Sequence, residues 1–110
     1  MAYDIAHLRR VQPGPEIAEY LRRIDDTLPP YGRRSLVHGG PAVRADGHWE
    51  GGVVVIEFPD LASARGWYES PAYQAILPLR LQHSDGDAIL VEGVPEGYRA
   101  ASFVAKLGIG

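Results

Sequence analysis

The sequence of 110 residues contains no cysteine, which excludes disulfide bonds, thiolate catalysis and cysteine-based zinc or iron–sulfur sites. The sequence also has fewer positive than negative residues, with 11 Lys and Arg residues and 14 Asp and Glu residues. A general nucleic-acid binder needs a basic face, so we expect no nucleic-acid partner. The sequence has no signal-peptide pattern and no membrane-length apolar run, so we expect a cytoplasmic protein with no membrane partner.

Several short motifs that mark particular chemistries are missing as well. No GxGxxG, P-loop or GxSxG sequence occurs, which argues against glycine-rich phosphate binding and serine hydrolase chemistry. The 4 histidines lack the short spacing of metal ligands, so we predict no metal site. One histidine would suffice for haem, but the sequence singles none out, and we predict no cofactor.

What the sequence does contain is an alternation of strand and helix signals. The segments predicted as strands are Tyr3–Val11, Arg34–His38, Gly52–Phe58 and Ala88–Val94. Helical spacing predicts a helix from Pro15 to Leu28, one that follows the N-cap Asp60, and a segment from Pro71 that Pro78 kinks or restarts. We also expect Ala42–Ala45 to continue the second strand and Asp85-Gly86-Asp87 to form a turn.

Two strand–helix–strand halves predict an α+β fold, a ferredoxin-like βαββαβ sandwich with both helices on one face of an antiparallel sheet. The third and fourth strands are apolar on both faces, at Val53–Ile56 and Ile89–Val91, whereas a sheet with one wet face alternates. A symmetric copy is the simplest cover for the second face, so we expect a homodimer, a dimeric α/β barrel. The alternative cover is the chain's own tail after Pro95.

A set of sequence blocks, in order along the chain from Tyr3 to Val94, carries a family resemblance. The blocks are Tyr31-Gly32, Leu36–Gly40, Val54–Pro59, Trp67–Gln74, Leu77–Arg80 and Val91–Val94. Together they resemble the family called domain of unknown function 1330 (DUF1330). The resemblance implies the dimeric α/β-barrel superfamily, which includes cofactor-free monooxygenases, polyketide cyclases, muconolactone-type isomerases and some haem enzymes, with a cavity between sheet and helices.

The end of the resemblance suggests a division of the chain. We expect a dimeric α/β-barrel domain over residues 1–94 and a C-terminal tail over residues 95–110. Apolar residues from Ala100 to Leu107 have helical spacing, so the tail is open to three interpretations: a lid, an arm that clasps a partner, or a disordered end.

His7 and Glu57 are the candidate catalytic residues. We predict that both lie late in adjacent, parallel central strands, where a carboxylate would orient the imidazole and favour its charged form. Such an imidazole is a useful general base near neutral pH. The alternatives are a structural pair at the end of the sheet, or two residues on opposite faces.

Four residues are candidates for substrate binding: His38, Trp67, Tyr73 and Arg80. His38 precedes two glycines, which either let a ligand approach or form a bulge. Trp67 lies off the apolar stripe of its helix, which favours a pocket or an interface, whereas Tyr73 has the spacing of a core residue. Arg80 lies in an apolar stretch and requires either a carboxylate partner, Glu57 or Glu92, or an acidic ligand.

These residues lead to two hypotheses about function. In the first, the protein is a cofactor-free isomerase or cyclase that abstracts a proton from a small organic or polyketide-like molecule. His7 is then the base, Glu57 orients it, and Arg80 holds an anionic group. In the second, the protein is a non-catalytic small-ligand-binding or dimeric interaction protein. Convergence of the three side chains on one cavity would favour the first hypothesis, and its absence the second.

Overall fold

Secondary structure follows the predicted order in the computed structural model, which describes residues 1–109; Gly110, the last residue of the predicted tail, lies outside the described residues. The strands are β1 (Ala2–Val11), β2 (Arg34–His38), β3 (Gly52–Phe58) and β4 (Ser84–Glu92). The α-helices are α1 (Pro15–Thr27), α2 (Leu61–Glu69) and α3 (Pro71–Leu81), and a 3₁₀-helix spans Ala100–Leu107.

The strands form one four-stranded sheet in the order β2-β3-β1-β4, and every neighbouring pair is antiparallel. This topology confirms the predicted ferredoxin-like α+β fold. The expectation that β1 and β3 run parallel is wrong. Each crossover helix makes the two strands of its own half parallel, and a strand of the other half lies between them.

The two faces of the sheet differ in burial. Ala2, Asp4 and Ala6 of β1 are at most 7% exposed because they face the helices, whereas the residues between them are half-buried. Strand alternation places Ile5 on the other, helix-free face, beside its partners Val55 and Ile89. The helix-free face therefore carries apolar side chains that the helices of the same chain do not cover.

The core lies between the helix-covered face of the sheet and the three α-helices. Its largest fully buried side chains are Trp67, Tyr73, Phe58, Ile56 and Ile76. The assignment of Trp67 to a pocket or an interface is wrong. Its indole is fully buried, with the ring 4.1 Å from that of Tyr73, and its N–H donates to the Thr27 hydroxyl at 2.9 Å.

Side-chain caps begin the second and third α-helices. The Asp60 carboxylate accepts a hydrogen bond from Ser63 N at 2.7 Å, as its predicted N-cap role requires. Ser70 ends α2 and caps α3, accepting from Tyr73 N at 3.3 Å. Pro78 does not restart the helix, which continues to Leu81 because its buried stripe extends through that turn.

Two other sequence predictions about local structure are wrong. Ala42–Ala45 does not continue β2 but belongs to the exposed segment 39–51. Asp85-Gly86-Asp87 lies within β4 rather than in a turn, with Gly86 opposite Leu8 of β1. Arg9 stabilises that pairing through ion pairs of 3.0 Å to Asp85 and 2.7 Å to Asp87, which the sequence pattern did not reveal.

The chain is more extended than a compact domain of its length. The radius of gyration is 16.0 Å, whereas about 13 Å is typical. Every residue of the segments 39–51 and 94–109 is exposed, and the 3₁₀-helix lies in the second of them. The division at residue 94 and the role of the tail stay predictions.

Candidate functional site

A cavity opens between the helix-covered face of the sheet and the helices α1 and α3. Its inner chamber has a volume of about 40 Å³ and its outer chamber about 210 Å³. Both chambers are lined by Leu8, Tyr20, Leu21, His38, Val54 and Arg80. The two chambers are therefore adjoining parts of one site, smaller than the roughly 300–1,000 Å³ typical of pockets for drug-sized ligands.

Five polar side chains line the inner chamber: the exposed His38 and four others, Asp4, Tyr20, Tyr73 and Arg80, which we call the polar floor. Asp4 is there because even-numbered residues of β1 face the helices. Tyr20 belongs to the buried stripe of α1. Tyr73 and Arg80 are two helical turns apart on the buried stripe of α3. Residue positions that normally hold apolar core side chains thus bring polar groups together.

The carboxyl group of Asp4 is in an unusual environment for an acid. Burial raises its pKa to about 6, and the charge of Arg80 lowers the pKa only in part. Asp4 takes part in none of the ion pairs within 4.0 Å found among residues 1–109. At neutral pH most Asp4 side chains are therefore ionised, and a minor fraction is protonated, because the pKa of about 6 lies close to that pH.

Arg80 is buried, at 7% exposure, and also has no ion pair within 4.0 Å among residues 1–109. Its guanidinium carbon lies 6.0 Å from the centre of the Tyr20 ring. The salt bridge suggested by the sequence is not formed, because Glu57 pairs with Arg33 at 3.3 Å and Arg34 at 3.8 Å. The charged group that faces Arg80 in the chamber is Asp4.

The two tyrosines of the polar floor are hydrogen-bonded to each other, with 2.7 Å between their hydroxyl oxygens. Burial raises the pKa of both Tyr20 and Tyr73, so both hydroxyls keep their protons at neutral pH. One of the two hydroxyl protons is donated in the hydrogen bond between the two oxygen atoms. The second hydroxyl proton is then available for an acceptor in the chamber.

The predicted catalytic pair does not meet in the structure. In the antiparallel register His7 lies opposite Val53, whereas Glu57 lies opposite Tyr3. The two therefore share the helix-free face but are separated by four residues along the sheet, roughly 13 Å. His7 stacks on Trp49 at 4.1 Å, and its Nε2 hydrogen-bonds to the Glu50 carbonyl oxygen at 2.7 Å. Neither His7 nor Glu57 lines the cavity.

The predicted substrate-binding residues divide between the cavity and the core. Tyr73 and Arg80 belong to the polar floor, and the exposed His38 lines both chambers. Trp67 lies in the core and lines neither chamber. Three of the four candidates therefore reach the same site, although their roles there stay predictions.

Asp4 and Tyr20 are the members of the polar floor that the sequence argument missed. The signal for Asp4 was its position between Ala2 and Ala6, on the alternate residues of a strand whose small side chains face the core. Burial of an acidic side chain at such a position lowers the stability of the fold unless the side chain has a partner. Tyr20 had no separate signal, because its spacing is that of an ordinary core residue.

The described residues contain neither a metal-binding cluster nor a membrane-spanning helix. Within residues 1–109, no group of three or more His, Asp and Glu side chains is arranged to hold a metal ion. Over the same range, no helix has the length and apolar character needed to cross a membrane.

The chain matches one known protein family. Residues 1–94 match the family described as Domain of unknown function (DUF1330). The chain belongs to this family. A search of curated proteins finds no significant match.

Among solved structures, the chain is similar to a dimeric ferredoxin-like protein of unknown function from Jannaschia sp. CCS1, with 13% identity and a TM-score of 0.66 over 84% of this chain and 98% of the other. It is also similar to HapK from Hahella chejuensis, with 21% identity and a TM-score of 0.57 over 91% and 99%. An antibiotic biosynthesis monooxygenase shares 22% identity, with a TM-score of 0.53 over 86% and 100%. At these identities the likeness shows the fold alone.

The raised pKa of Asp4 predicts that this side chain destabilises the folded protein as the pH rises. The folded state holds the Asp4 proton more tightly than the unfolded chain, whose pKa is near 3.8, so stability is full below pH 3.8 and is lost up to the folded pKa of about 6. Asp4→Asn should therefore stabilise the protein above pH 7 by up to about 3 kcal/mol, since each pKa unit corresponds to about 1.36 kcal/mol. Urea denaturation from pH 2 to pH 8 measures this difference.

Asp60→Asn provides a control of opposite sign in the same titration. Hydrogen bonds from Ser63 lower the pKa of Asp60, so its charge stabilises the fold at neutral pH and that contribution disappears as the pH falls. The Asp60 variant should lose stability at pH 7 and approach the wild type in acid. A pH-independent difference between Asp4→Asn and the wild type would contradict the assignment.

Proposed function

We propose that the cavity is a cofactor-independent site for proton transfer on a small organic anion. One observation carries the proposal: Asp4 and Arg80 are both buried, line the same inner chamber and are not paired with each other. Burial of a carboxylate and a guanidinium costs several kcal/mol per ion unless partners compensate. An anionic ligand would provide the missing partner of Arg80, and a proton taken from that ligand would neutralise Asp4.

Arg80 is the group that would hold the anion. A guanidinium presents several N–H donors in a fixed planar arrangement and stays charged at any physiological pH. Its hydrogen bonds to a carboxylate are charge-assisted, and they are stronger in a chamber from which water is largely excluded. The aromatic ring of Tyr20 lies beside the guanidinium, with its centre 6.0 Å from the guanidinium carbon.

Asp4 is the group that would take the proton. A general base works best when its pKa lies near the working pH, and burial brings the pKa of Asp4 to about 6. The Asp4 carboxylate accepts a proton from the carbon next to a carbonyl group, and the electron pair of the broken C–H bond moves towards the carbonyl oxygen. The free hydroxyl proton of the Tyr20–Tyr73 pair stabilises the negative charge that develops on that oxygen.

The resulting enolate can follow either of two courses. Return of the proton from Asp4 to a different carbon completes an isomerisation. Attack of the enolate carbon on a second carbonyl group of the same molecule forms a C–C bond and an alkoxide, and transfer of the Asp4 proton to that alkoxide oxygen completes an aldol cyclisation. Neither course requires an oxidant, a reductant or a metal ion.

The non-catalytic alternative has a specific observation in its favour. His7, Glu57 and Arg80 do not converge on one cavity, which removes the catalytic arrangement that the sequence suggested. A cavity that binds a small anion without chemistry would use Arg80 and the tyrosine pair in the same way. The catalytic role of Asp4 is what separates the two functions.

Hydrogen–deuterium exchange at carbon tests proton abstraction without knowledge of the natural substrate. The protein should accelerate exchange of the C3 protons of 2-oxobutanoate and 2-oxooctanoate in D₂O, with a rate that rises through about pH 6 as Asp4 ionises. Asp4→Asn should lower the accelerated rate by about 10²–10⁴-fold, the usual contribution of a general base. Proton NMR follows the loss of the C3 signal.

Two further variants complete the exchange experiment. Asp26→Asn changes an exposed aspartate of α1 that does not line the cavity, and it should exchange at the wild-type rate. His7→Ala discriminates between the two candidate bases. Loss of exchange in His7→Ala with retention in Asp4→Asn would contradict the proposal, and no acceleration by the wild type would leave the non-catalytic function.

We also propose that the protein is a homodimer joined through the helix-free face of the sheet. Ile89 of that face is 56% exposed, although it lies in the sheet beside Ile5. An exposed apolar sheet surface of this kind is typical of a protein–protein interface. The similarity to the dimeric protein from Jannaschia supports the dimeric state. The exposed segments 39–51 and 94–109 are long enough to contact a second copy.

Val55→Glu tests the homodimer. Val55 lies next to Ile5 at the centre of the helix-free face, so a buried carboxylate there should separate the subunits. Light scattering coupled to size-exclusion chromatography should give the dimer mass for the wild type and the monomer mass for the variant. Ala62→Glu introduces the same charge at an exposed position of α2 and should remain dimeric. A monomeric wild type at micromolar concentration would contradict the proposal.

A further inference from the structure

The outer chamber differs in character from the polar floor. Its lining includes the apolar side chains of Leu8, Val11, Ile17 and Leu21, and the polar floor lies at its inner end. Val11 and Leu21 are 41% and 45% exposed, so this apolar part of the cavity also reaches solvent. The outer chamber also has the polar side chains of His38 and Ser84 in its lining, but most of the surface that a ligand would contact there is apolar, and the buried charged groups lie at the inner end.

We propose that the ligand is a monocarboxylate with an apolar tail of about seven carbon atoms, bound with its carboxylate at Arg80 and its tail in the outer chamber. This substrate class rests on the proposed proton-transfer function and specifies what that site accepts. The head-first orientation follows from the order of the two chambers, because the reverse orientation would bury an apolar chain end against Asp4 and Arg80.

The charge of the polar floor limits the ligand to one anionic group. Arg80 is the single Lys or Arg residue among the described residues that line the two chambers. Asp4 is close enough to interact electrostatically with Arg80, so a ligand with two negative charges would meet one cation and one anion. A phosphate ester or a dicarboxylate is disfavoured on this ground.

The volume of the outer chamber sets the length of the tail. A single water-sized group needs roughly 10–15 Å³ of cavity volume, and a methylene group is similar in size. The outer chamber of about 210 Å³ therefore accommodates a chain of several such groups. The inner chamber, about 40 Å³, accommodates the carboxylate and the carbon atoms next to it, on which Asp4 would act. Acids of about eight carbons in total should fill the site.

Isothermal titration calorimetry of the purified full chain with straight-chain carboxylates from acetate to dodecanoate tests this ligand class. Affinity should rise about fourfold with each added methylene, which corresponds to ~0.8 kcal/mol, and should stop rising near octanoate. The matching primary alcohols should bind at least tenfold more weakly, since a hydrogen bond to a charged group contributes about 1.5–3 kcal/mol. Equal affinity across the acid series, or alcohols that bind as tightly as acids, would overturn the proposal.

Two pairs of measurements locate the ligand in the cavity. Arg80→Met should abolish the preference for acids over alcohols while retaining the dependence on chain length. Leu21→Trp should shift the best acid to a shorter chain by about two carbons, because the larger ring occupies part of the outer chamber. Leu81→Trp, at a 56% exposed position of α3 outside the cavity, is the matched control and should retain the wild-type optimum. An unchanged optimum in Leu21→Trp would place the ligand elsewhere and overturn the proposal.

Failure of this ligand class can be told apart from failure of the proposed chemistry. Binding of acids with the expected optimum, but without exchange at carbon, would support the ligand class and contradict catalysis. Equal exchange rates for 2-oxobutanoate and 2-oxooctanoate at subsaturating concentration, together with binding that ignores chain length, would support catalysis and overturn the ligand class.

Discussion

The site depends on one constraint: two buried groups of opposite charge share a small chamber without forming an ion pair within 4.0 Å. A directly paired Asp4 and Arg80 would have satisfied each other, and the pKa of Asp4 would fall below its ordinary value. Instead burial dominates and raises that pKa to about 6. The chamber consequently contains a base of nearly neutral pKa from β1, a cation from α3, and a pair of tyrosine hydroxyls from α1 and α3 with one proton free to be donated.

The sheet makes this arrangement possible because its two faces have separate roles. The helix-covered face holds the core and the cavity, and the helix-free face offers apolar side chains to a second subunit. A subunit contact on the helix-free face therefore leaves the cavity in place within each chain. The placement of His7 on the helix-free face explains why this histidine takes no part in the polar floor.

The fold was largely predictable from the sequence, because it follows from local signals. Pro15, Asp60 and Pro71 mark the start of helices, and the valines of β3 mark a buried strand. The site was less predictable, because its geometry depends on which strands pair and in which direction. The antiparallel register separates His7 from Glu57. Arg9 of β1 pairs with Asp85 and Asp87 across a long sequence separation, and these two residues lie in a strand and not in the expected turn. Asp4 was visible only as an acid at a core-facing position.

The ionisation of Asp4 within the folded protein is the most direct test of this account. Carbon-13 NMR of the side-chain carboxyl groups, followed from pH 3 to pH 9 and assigned with Asp4→Asn, gives the titration midpoint of that one residue. The account predicts a midpoint near pH 6 that rises further when octanoate occupies the cavity, because the added negative charge favours protonation. A midpoint near or below pH 4, unaffected by octanoate, would contradict it.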